Sequence, residues 1–251
     1  MKELFELFLY QPVFNIFVGI YNVIPDVGIV ILIITILLKV VTYPLTSSSL
    51  KAQKSLTDLQ PKMADLKEKY KGDQQKIAQE TMLLYKEHKV NPLGSCLPIL
   101  VQLPIFLALY WVLRGVFAGD DFHLLYSFVG SPGHINPISL GLVDLGKSQF
   151  ILALLAGAAQ FWQAKLMYKK RAPSEAGKGA KDENMMAMMN KQMLYFMPFF
   201  TFLISLSFPG GLALYWFLST LITALQHVFL FRNKDKKGGG SGDVIEGTVV
   251  S

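Results

Sequence analysis

The sequence predicts an all-α polytopic membrane protein: five transmembrane helices, an N-terminal interfacial amphipathic helix and a cytoplasmic helical hairpin. Three observations predict it. The 251 residues are 52% hydrophobic, with a mean hydropathy of +0.37, the balance of a membrane protein rather than a water-soluble domain. The apolar residues gather into runs close to the roughly 20 residues that a helix needs to cross hydrocarbon. The basic residues gather in three segments: nine Lys in Ser47–Gly94, seven Lys/Arg in Lys165–Lys191 and four after Phe231, together 20 of 24. The positive-inside rule puts those segments in the cytoplasm. Five spans then leave the N-terminus outside and the C-terminus inside.

Residues 1–25 form the first element. Gln11, Asn15, Gly19, Asn22 and Asp26 recur at spacings of 4, 4, 3 and 4, one polar face of a helix. Phe14, Phe17, Val18 and Tyr21 fall mainly elsewhere. This favours an amphipathic helix on the outer membrane surface over a sixth span, which the uncharged run Leu7–Pro25 also permits. The opening MKELFELFLY lacks the composition of a signal or transit peptide.

A core of five spans occupies residues 26–231. In the first, the uncharged run Val27–Leu38 is too short to cross alone and must continue through Lys39 to about Thr46. A cation inside a span costs roughly 2.5–3.5 kcal/mol on insertion scales and usually faces a bundle interior or a watery cavity. Lys39 also lies five residues before Pro44, about 7.5 Å of helix rise, so its stem has a route to the headgroups. From this segment alone the cavity and snorkelling readings stand level. Ile31 on this span and Leu152 on a later one read as lipid-facing.

Residues 47–91 read as a hairpin of two helices. Leu56, Leu59, Met63, Leu66 and Tyr70 give one apolar stripe, and Ile77, Ala78, Leu84 and Tyr85 a second. Gly72-Asp73 marks the turn, and Pro61 a kink or restart. Its length exceeds what a connector needs, which favours a docking platform over a solvated coil.

The remaining spans fall near Leu97–Phe117, Phe150–Met167, Met193–Phe208 and Leu212–Phe231. Residues 118–147 make an outer loop and 168–190 a cytoplasmic loop with a flexible linker at 172–182. Met185, Met186, Met188 and Met189 belong to a Met-rich approach to the fourth span, read as core packing. Phe208-Pro209-Gly210-Gly211 breaks the last apolar run into a tight hairpin. Residues 232–251 form a disordered basic, Gly-rich tail.

The chain carries no P-loop, GxSxG or HExxH pattern, and its four His are scattered. The single Cys96 excludes an internal disulfide and has no activating base in register. No enzyme, cofactor or metal is expected. The +6 charge follows its placement at the membrane and does not point to sequence-specific nucleic-acid binding.

In order, the pieces resemble the YidC family of membrane protein insertases, with relatives in mitochondria and thylakoids. The resemblance rests on KVVTYPL (39–45, with Pro44) and on the stretch 59–106. In that stretch Asn91, Pro92, Gly94, Cys96, Pro98, Gln102 and Pro104 fall where the family pattern has them. GLVDLGKSQF (141–150), AGAAQFWQAKL (156–166) and FPGGLALYW (208–216, with Pro209 and Gly211), followed by Gln226, extend it over about Tyr10 to Phe231. The family's basic residue is usually Arg, whereas Lys39 lacks the bidentate fork. A position that often carries Asn reads Thr220-Leu221 here. The large extracytoplasmic domain of some members has no counterpart, so the chain is expected to be a minimal core.

The resemblance implies a hydrophilic groove open to cytoplasm and lipid, with Lys39, Gln102, Gln160, Gln163 and Trp216 lining it. It implies nascent membrane proteins as substrates, the ribosome, targeting factors and the SecYEG channel as partners, contact with membrane lipids, and residence in a bacterial inner membrane. Two other classes stay open at this point: a transporter or channel with Lys39 as its anion site, and a lipid scramblase using the same groove.

Overall fold

The computed structural model describes residues 2–91, 93–119, 121–168 and 181–237. Pro92, most of the linker at 172–182 and the tail from 238 lie outside them, as do the side chains of Cys96, Pro98 and the four methionines of 185–189. The described residues are almost entirely helical. In chain order they form α1 (Lys2–Phe5), a π turn (Glu6–Tyr10), α2 (Gln11–Val23), α3 (Val27–Asp58), α4 (Gln60–Lys69), α5 (Gln74–Glu87) and α6 (Leu93–Ala118). After a short 3₁₀ turn and two strands come α7 (Phe150–Tyr168), α8 (Lys181–Leu206) and α9 (Gly210–Lys237).

Five helical stretches are long and apolar enough to cross a bilayer: Glu3–Val23, Val27–Asp58, Leu100–Ala118, Phe150–Met167 and Gly210–Phe231. The number matches the sequence reading, but the membership differs. The N-terminal stretch qualifies, while the apolar part of α8, Leu194–Leu206, is shorter.

α3 begins where the Asp26 carboxylate accepts from the Ile29 amide at 3.0 Å, a side-chain N-cap. Pro44 was expected near the end of this helix, and the helix runs through it to Asp58. Proline removes the bond that residue 44 would donate to the Val40 carbonyl, an interruption that membrane helices tolerate. Around it Thr42 and Thr46 donate back to the carbonyls of Leu38 and Thr42 at 2.7 and 3.0 Å. The Gln226 amide reaches the Tyr43 carbonyl at 3.4 Å.

α4 restarts the chain after Leu59 with Pro61 in its first turn, a position that does not need the missing N–H. Gly72 turns the chain at a positive φ of 94°, and Asp73 caps α5 by accepting from the Lys76 amide at 3.0 Å. The Tyr85 hydroxyl meets Met63 Sδ at 3.3 Å, so the two stripes face each other. Beside them Leu66, Leu83 and Leu84 floor a cleft of about 290 Å³ rimmed by Lys62, Asp65, Lys69, Glu80 and Glu87. α6 runs unbroken through Pro98 and Pro104.

The core sits at one end of the bundle. Phe14, Phe17, Val18, Val27, Val30, Ile31, Val112 and Leu212 are all but fully buried, and they come from α2, the start of α3, the end of α6 and the start of α9. Ile31, read from sequence as lipid-facing, lies inside this core, and Leu152 is half-buried against it. Gly211 lies where α9 crosses this core: a Cβ there would stand 3.0 Å from Ile31 Cδ1 and 3.1 Å from Leu113 Cδ1.

The loop 118–147 is laced to the same end. Gln11 and Asn15 donate to the Leu124 carbonyl at 3.0 and 3.1 Å. Asn15 accepts from the Tyr126 amide at 2.7 Å, and Asn22 donates to the Gly130 carbonyl at 2.7 Å. The polar face of α2 is therefore taken up by loop backbone. Further along, strands β1 (Ile138–Ser139) and β2 (Val143–Asp144) pair antiparallel. The Gly210 and Gly211 amides then donate to the carbonyls of Lys147 and Leu145 at 2.7 and 2.9 Å.

Candidate functional site: a polar seam between α3 and α9

α3 and α9 run parallel, and their contacts form a ladder. Ile31 meets Gly211 and Lys39 meets Thr223. Ser47 meets Gln226, whose amide donates to its hydroxyl at 2.9 Å, and the Lys54 ammonium lies 4.2 Å from the centre of the Phe231 ring. The first rung is apolar and packed. The next two are polar, and the last is cationic against aromatic.

Lys39 is the charged residue of the middle rungs. It stands 12 residues into α3, and Thr223 stands 13 into α9, about 18 and 20 Å of helix rise from the packed end. The Lys39 ammonium donates to Thr223 Oγ1 at 2.8 Å. Thr223 in turn donates to the Ser219 carbonyl at 2.9 Å. An ammonium has three protons to donate, and this hydroxyl accepts one. Among the described residues no carboxylate lies in ion-pair range of it. The partner is thus a neutral hydroxyl. α3 continues for 19 residues beyond Lys39.

Around Lys39 the packing is open. Ile36, Leu37, Val40, Val41 and Tyr43 are all exposed, Val41 at 76%. Burial on α3 stops at Thr35 and resumes at Ser47. On α6, Leu100, Leu103 and Leu107 are likewise exposed. The bundle is therefore tight at the loop end and open around Lys39, before Ser47 and Ser49 fasten α3 to α9 and α6 again.

The other sequence-predicted residues divide into two groups. Gln102 on α6 donates to the Tyr215 hydroxyl at 2.7 Å, and Tyr215 is only 2% exposed. Trp216 sets its ring edge against Phe106 at 5.1 Å between centroids. Tyr215, Trp216, Ser219, Thr223 and Gln226 fall within about 100° of arc on α9, at roughly 3.6 residues per turn. Lys39, Gln102 and Trp216 are thus gathered along one face of α9. Gln160 and Gln163 sit half-exposed on α7, and among the described residues neither joins these hydrogen bonds. Of the motif positions, Gly94 accepts from the Ser49 hydroxyl at 2.6 Å. Its own amide donates to the Asn91 carbonyl at 3.2 Å.

Sequence reasoning missed Ser47, Ser219 and Thr223. Their signal is visible in retrospect: Ser219, Thr223 and Gln226 recur at 4 and 3 along an otherwise apolar span, a polar stripe at helical spacing.

An all-helical, polytopic membrane bundle with one cation on an intramembrane polar seam is the class this arrangement defines. The chain belongs to the 60Kd inner membrane protein family, whose family model matches residues 19–237. This is the YidC family. The chain is 39% identical over 166 residues to the membrane protein insertase YidC of Fusobacterium nucleatum, covering 66% of this chain and 67% of that protein. It is 37% identical over 175 residues to that of Aeromonas salmonicida, covering 68% of this chain and 27% of that one. The chain thus spans about a quarter of the length of several curated relatives it matches. A crystal structure titled as an active YidC insertase with its first transmembrane domain resolved superposes with a TM-score of 0.56 at 26% identity. It covers 86% of this chain and 45% of that one.

Proposed function

We propose that this protein inserts nascent membrane proteins into the bilayer and helps them fold, with the seam around Lys39 as the wall of a hydrophilic groove. The observation that carries the reading is the position of Lys39: an ammonium bonded to one neutral hydroxyl, on the exposed stretch of α3 between its two buried ends. The insertase names of the relatives support it.

The physics of the task fits. A nascent helix has polar flanks that must pass a layer about 30 Å thick, and each buried polar group costs several kcal/mol. A wet recess reaching from the lysine-rich end to Lys39 shortens the dry part of that path. The packed core and the laced loop close the other end. Lys39 attracts an acidic flank: two unit charges at 4 Å gain about 4 kcal/mol at an effective dielectric near 20, against about 1 in water. That range supports capture without trapping. Gln102, Gln160, Gln163 and Trp216 line the same groove in this reading.

The orientation proposed is N-terminus outside and C-terminus inside, from the charge placement. The hairpin then faces the ribosome, targeting factors or a SecYEG channel. The stretch Glu3–Val23 is placed at the outer interface, its polar face already occupied by the loop.

The test is site-specific photocrosslinking to a ribosome-bound nascent membrane protein from Val41, which is 76% exposed on the open stretch of α3. Adducts from Val41 and none from Ile31, inside the core, are the expected result. Equal labelling from both positions, or from neither, overturns the groove.

A further inference from the structure

Ser139, Leu140, Gly141 and Leu142 form the tip between β1 and β2. The Leu142 amide donates to the Ser139 carbonyl at 3.0 Å, while Leu140 and Gly141 both have positive φ, 51° and 69°. That is a β-turn whose two central residues both lie in the left-handed region, as in type I′, for which Asn-Gly or Asp-Gly is the favoured pair; with Ser139 opposite Val143, the whole connection is residues 140–142. A leucine in the left-handed region is strained, because its Cβ crowds the following carbonyl oxygen. Leu140 is also 71% exposed, Leu142 is 83% exposed and Ile138 is 45% exposed. A side chain placed against both backbone preference and water points to a contact outside the chain.

We propose that this tip is a lipid anchor, seating Leu140 and Leu142 in the interfacial zone of the leaflet at the loop end of the bundle. Three observations favour lipid as the occupant. First, the tip is rigidly tied to the bundle at the start of a span. Asp26, one residue before α3, accepts from the Leu140 amide at 2.6 Å and from the Ser139 hydroxyl at 2.7 Å. Gly28 is tolerated there only as glycine, because a Cβ would overlap the Ser139 hydroxyl. Second, the exposed apolar surface continues onto flanking helix ends: Val23 at the end of α2 is 80% exposed, and Phe150 and Ile151 at the start of α7 are 61% and 71% exposed. Third, the neighbouring charges are satisfied within the chain. Asp26 is engaged as described, and Asp144 pairs with Lys147 at 3.0 Å. The sequence from Ile138 to Val143 carries no charge at all.

Lipid contact follows from the tip itself. Only the identity of the leaflet, the outer one, rests on the orientation proposed above. The experiment separates the two. The full chain carrying Cys96→Ser and Leu142→Cys is labelled with an environment-sensitive fluorophore and placed in phosphatidylethanolamine–phosphatidylglycerol vesicles containing lipids with a nitroxide near the headgroup. The label is expected to emit as in an apolar medium and to be quenched as strongly as one at Ile151→Cys. A label at Ser131→Cys, exposed in the same loop, is expected to emit as in water and stay unquenched. A Leu142 label that behaves like the Ser131 label overturns the anchor. In the same background Leu140→Asn suits the turn better, so the thermal midpoint in detergent should hold or rise while lipid quenching at position 142 is lost. Quenching that survives Leu140→Asn overturns the role of Leu140. A membrane-impermeant thiol reagent applied to intact spheroplasts reports the side: labelling of Ser131→Cys supports the outer leaflet, and its protection overturns the orientation while leaving lipid contact to the quenching result.

Discussion

Lys39 and Thr223 face each other across two parallel helices, joined by a 2.8 Å hydrogen bond at nearly equal depth from the packed end. The pair holds a cation in place without neutralising it. A carboxylate in the same position would form an ion pair and quench the attraction for an acidic visitor.

Lys39→Arg is expected to retain insertion, and Lys39→Ala or Lys39→Glu to reduce it, most for substrates with acidic translocated segments. An attraction between about 1 and 3 kcal/mol corresponds to a loss of about 5-fold to 150-fold. Thr223→Val, which leaves the charge in place, is expected to cost less than Lys39→Ala. Reconstituted insertion of a small membrane protein measures all four. Equal activity of Lys39→Glu and wild type would contradict the charge role.

Lys39, Gln160 and Trp216, each replaced by Cys in a Cys96→Ser background, are expected to react with a water-soluble thiol reagent from the lysine-rich side only. Ile151, 71% exposed on an apolar helix end, and the core residue Ile31 serve as slow-reacting controls, because thiolate chemistry needs water and an open path. Protection of all three as complete as at those controls would mean there is no hydrated groove.

Acid should loosen the tether between α3 and the hairpin tip. Burial raises the Asp26 pKa, but hydrogen bonds from Leu140, Ser139, Ile29 and Gly28 outweigh it and hold the carboxyl below its ordinary value. A carboxyl with a depressed folded pKa contributes stability above its unfolded pKa of roughly 3.9, and that contribution is lost as pH falls through the folded value. Thermal midpoints in detergent are therefore expected to fall with a smaller slope below about pH 4 in Asp26→Asn than in wild type. At neutral pH Asp26→Ala should cost about 1 kcal/mol as a lost N-cap. Identical acid limbs in wild type and Asp26→Asn would remove the carboxylate from this role.

Gly211→Ala places a methyl group 3.0 Å from Ile31 and 3.1 Å from Leu113, so one of them must give way. The expected cost is about 1–3 kcal/mol, the range for overpacking a filled core. Gly211→Val should cost more, and Ile31→Val should recover part of the loss in Gly211→Ala. Unchanged unfolding of Gly211→Ala would show that α9 shifts freely there.

The fold was largely legible because membrane helices announce themselves by length and their connections by charge. Lys39 was legible for the same reason: one lysine in an apolar run has few explanations. Its partner was not. Thr223 lies 184 residues away, and a threonine in a span has an ordinary local use, donating to its own helix as Thr35 does to Ile31. The polar stripe of α2 was read correctly as a stripe. Its partner, loop backbone more than a hundred residues on, leaves no periodic trace. Ile31 was misplaced because a span that is apolar all round carries no sign of which face meets lipid. The end of α3 was placed at about Thr46 because the apolar run stops there, whereas the helix continues to Asp58 as a polar extension.

The fastening of α3 at both ends has a mechanical consequence. Its first turns are locked in the core through Val27, Val30 and Ile31, and beyond the gap Ser47 and Ser49 tie it to Gln226 and Gly94. A rod held at both ends yields by bowing in its middle, and Pro44 removes one backbone hydrogen bond there. Widening the space beside Val40 and Val41 therefore asks little of Phe14, Phe17 and Leu212, which remain the seal in the proposed groove.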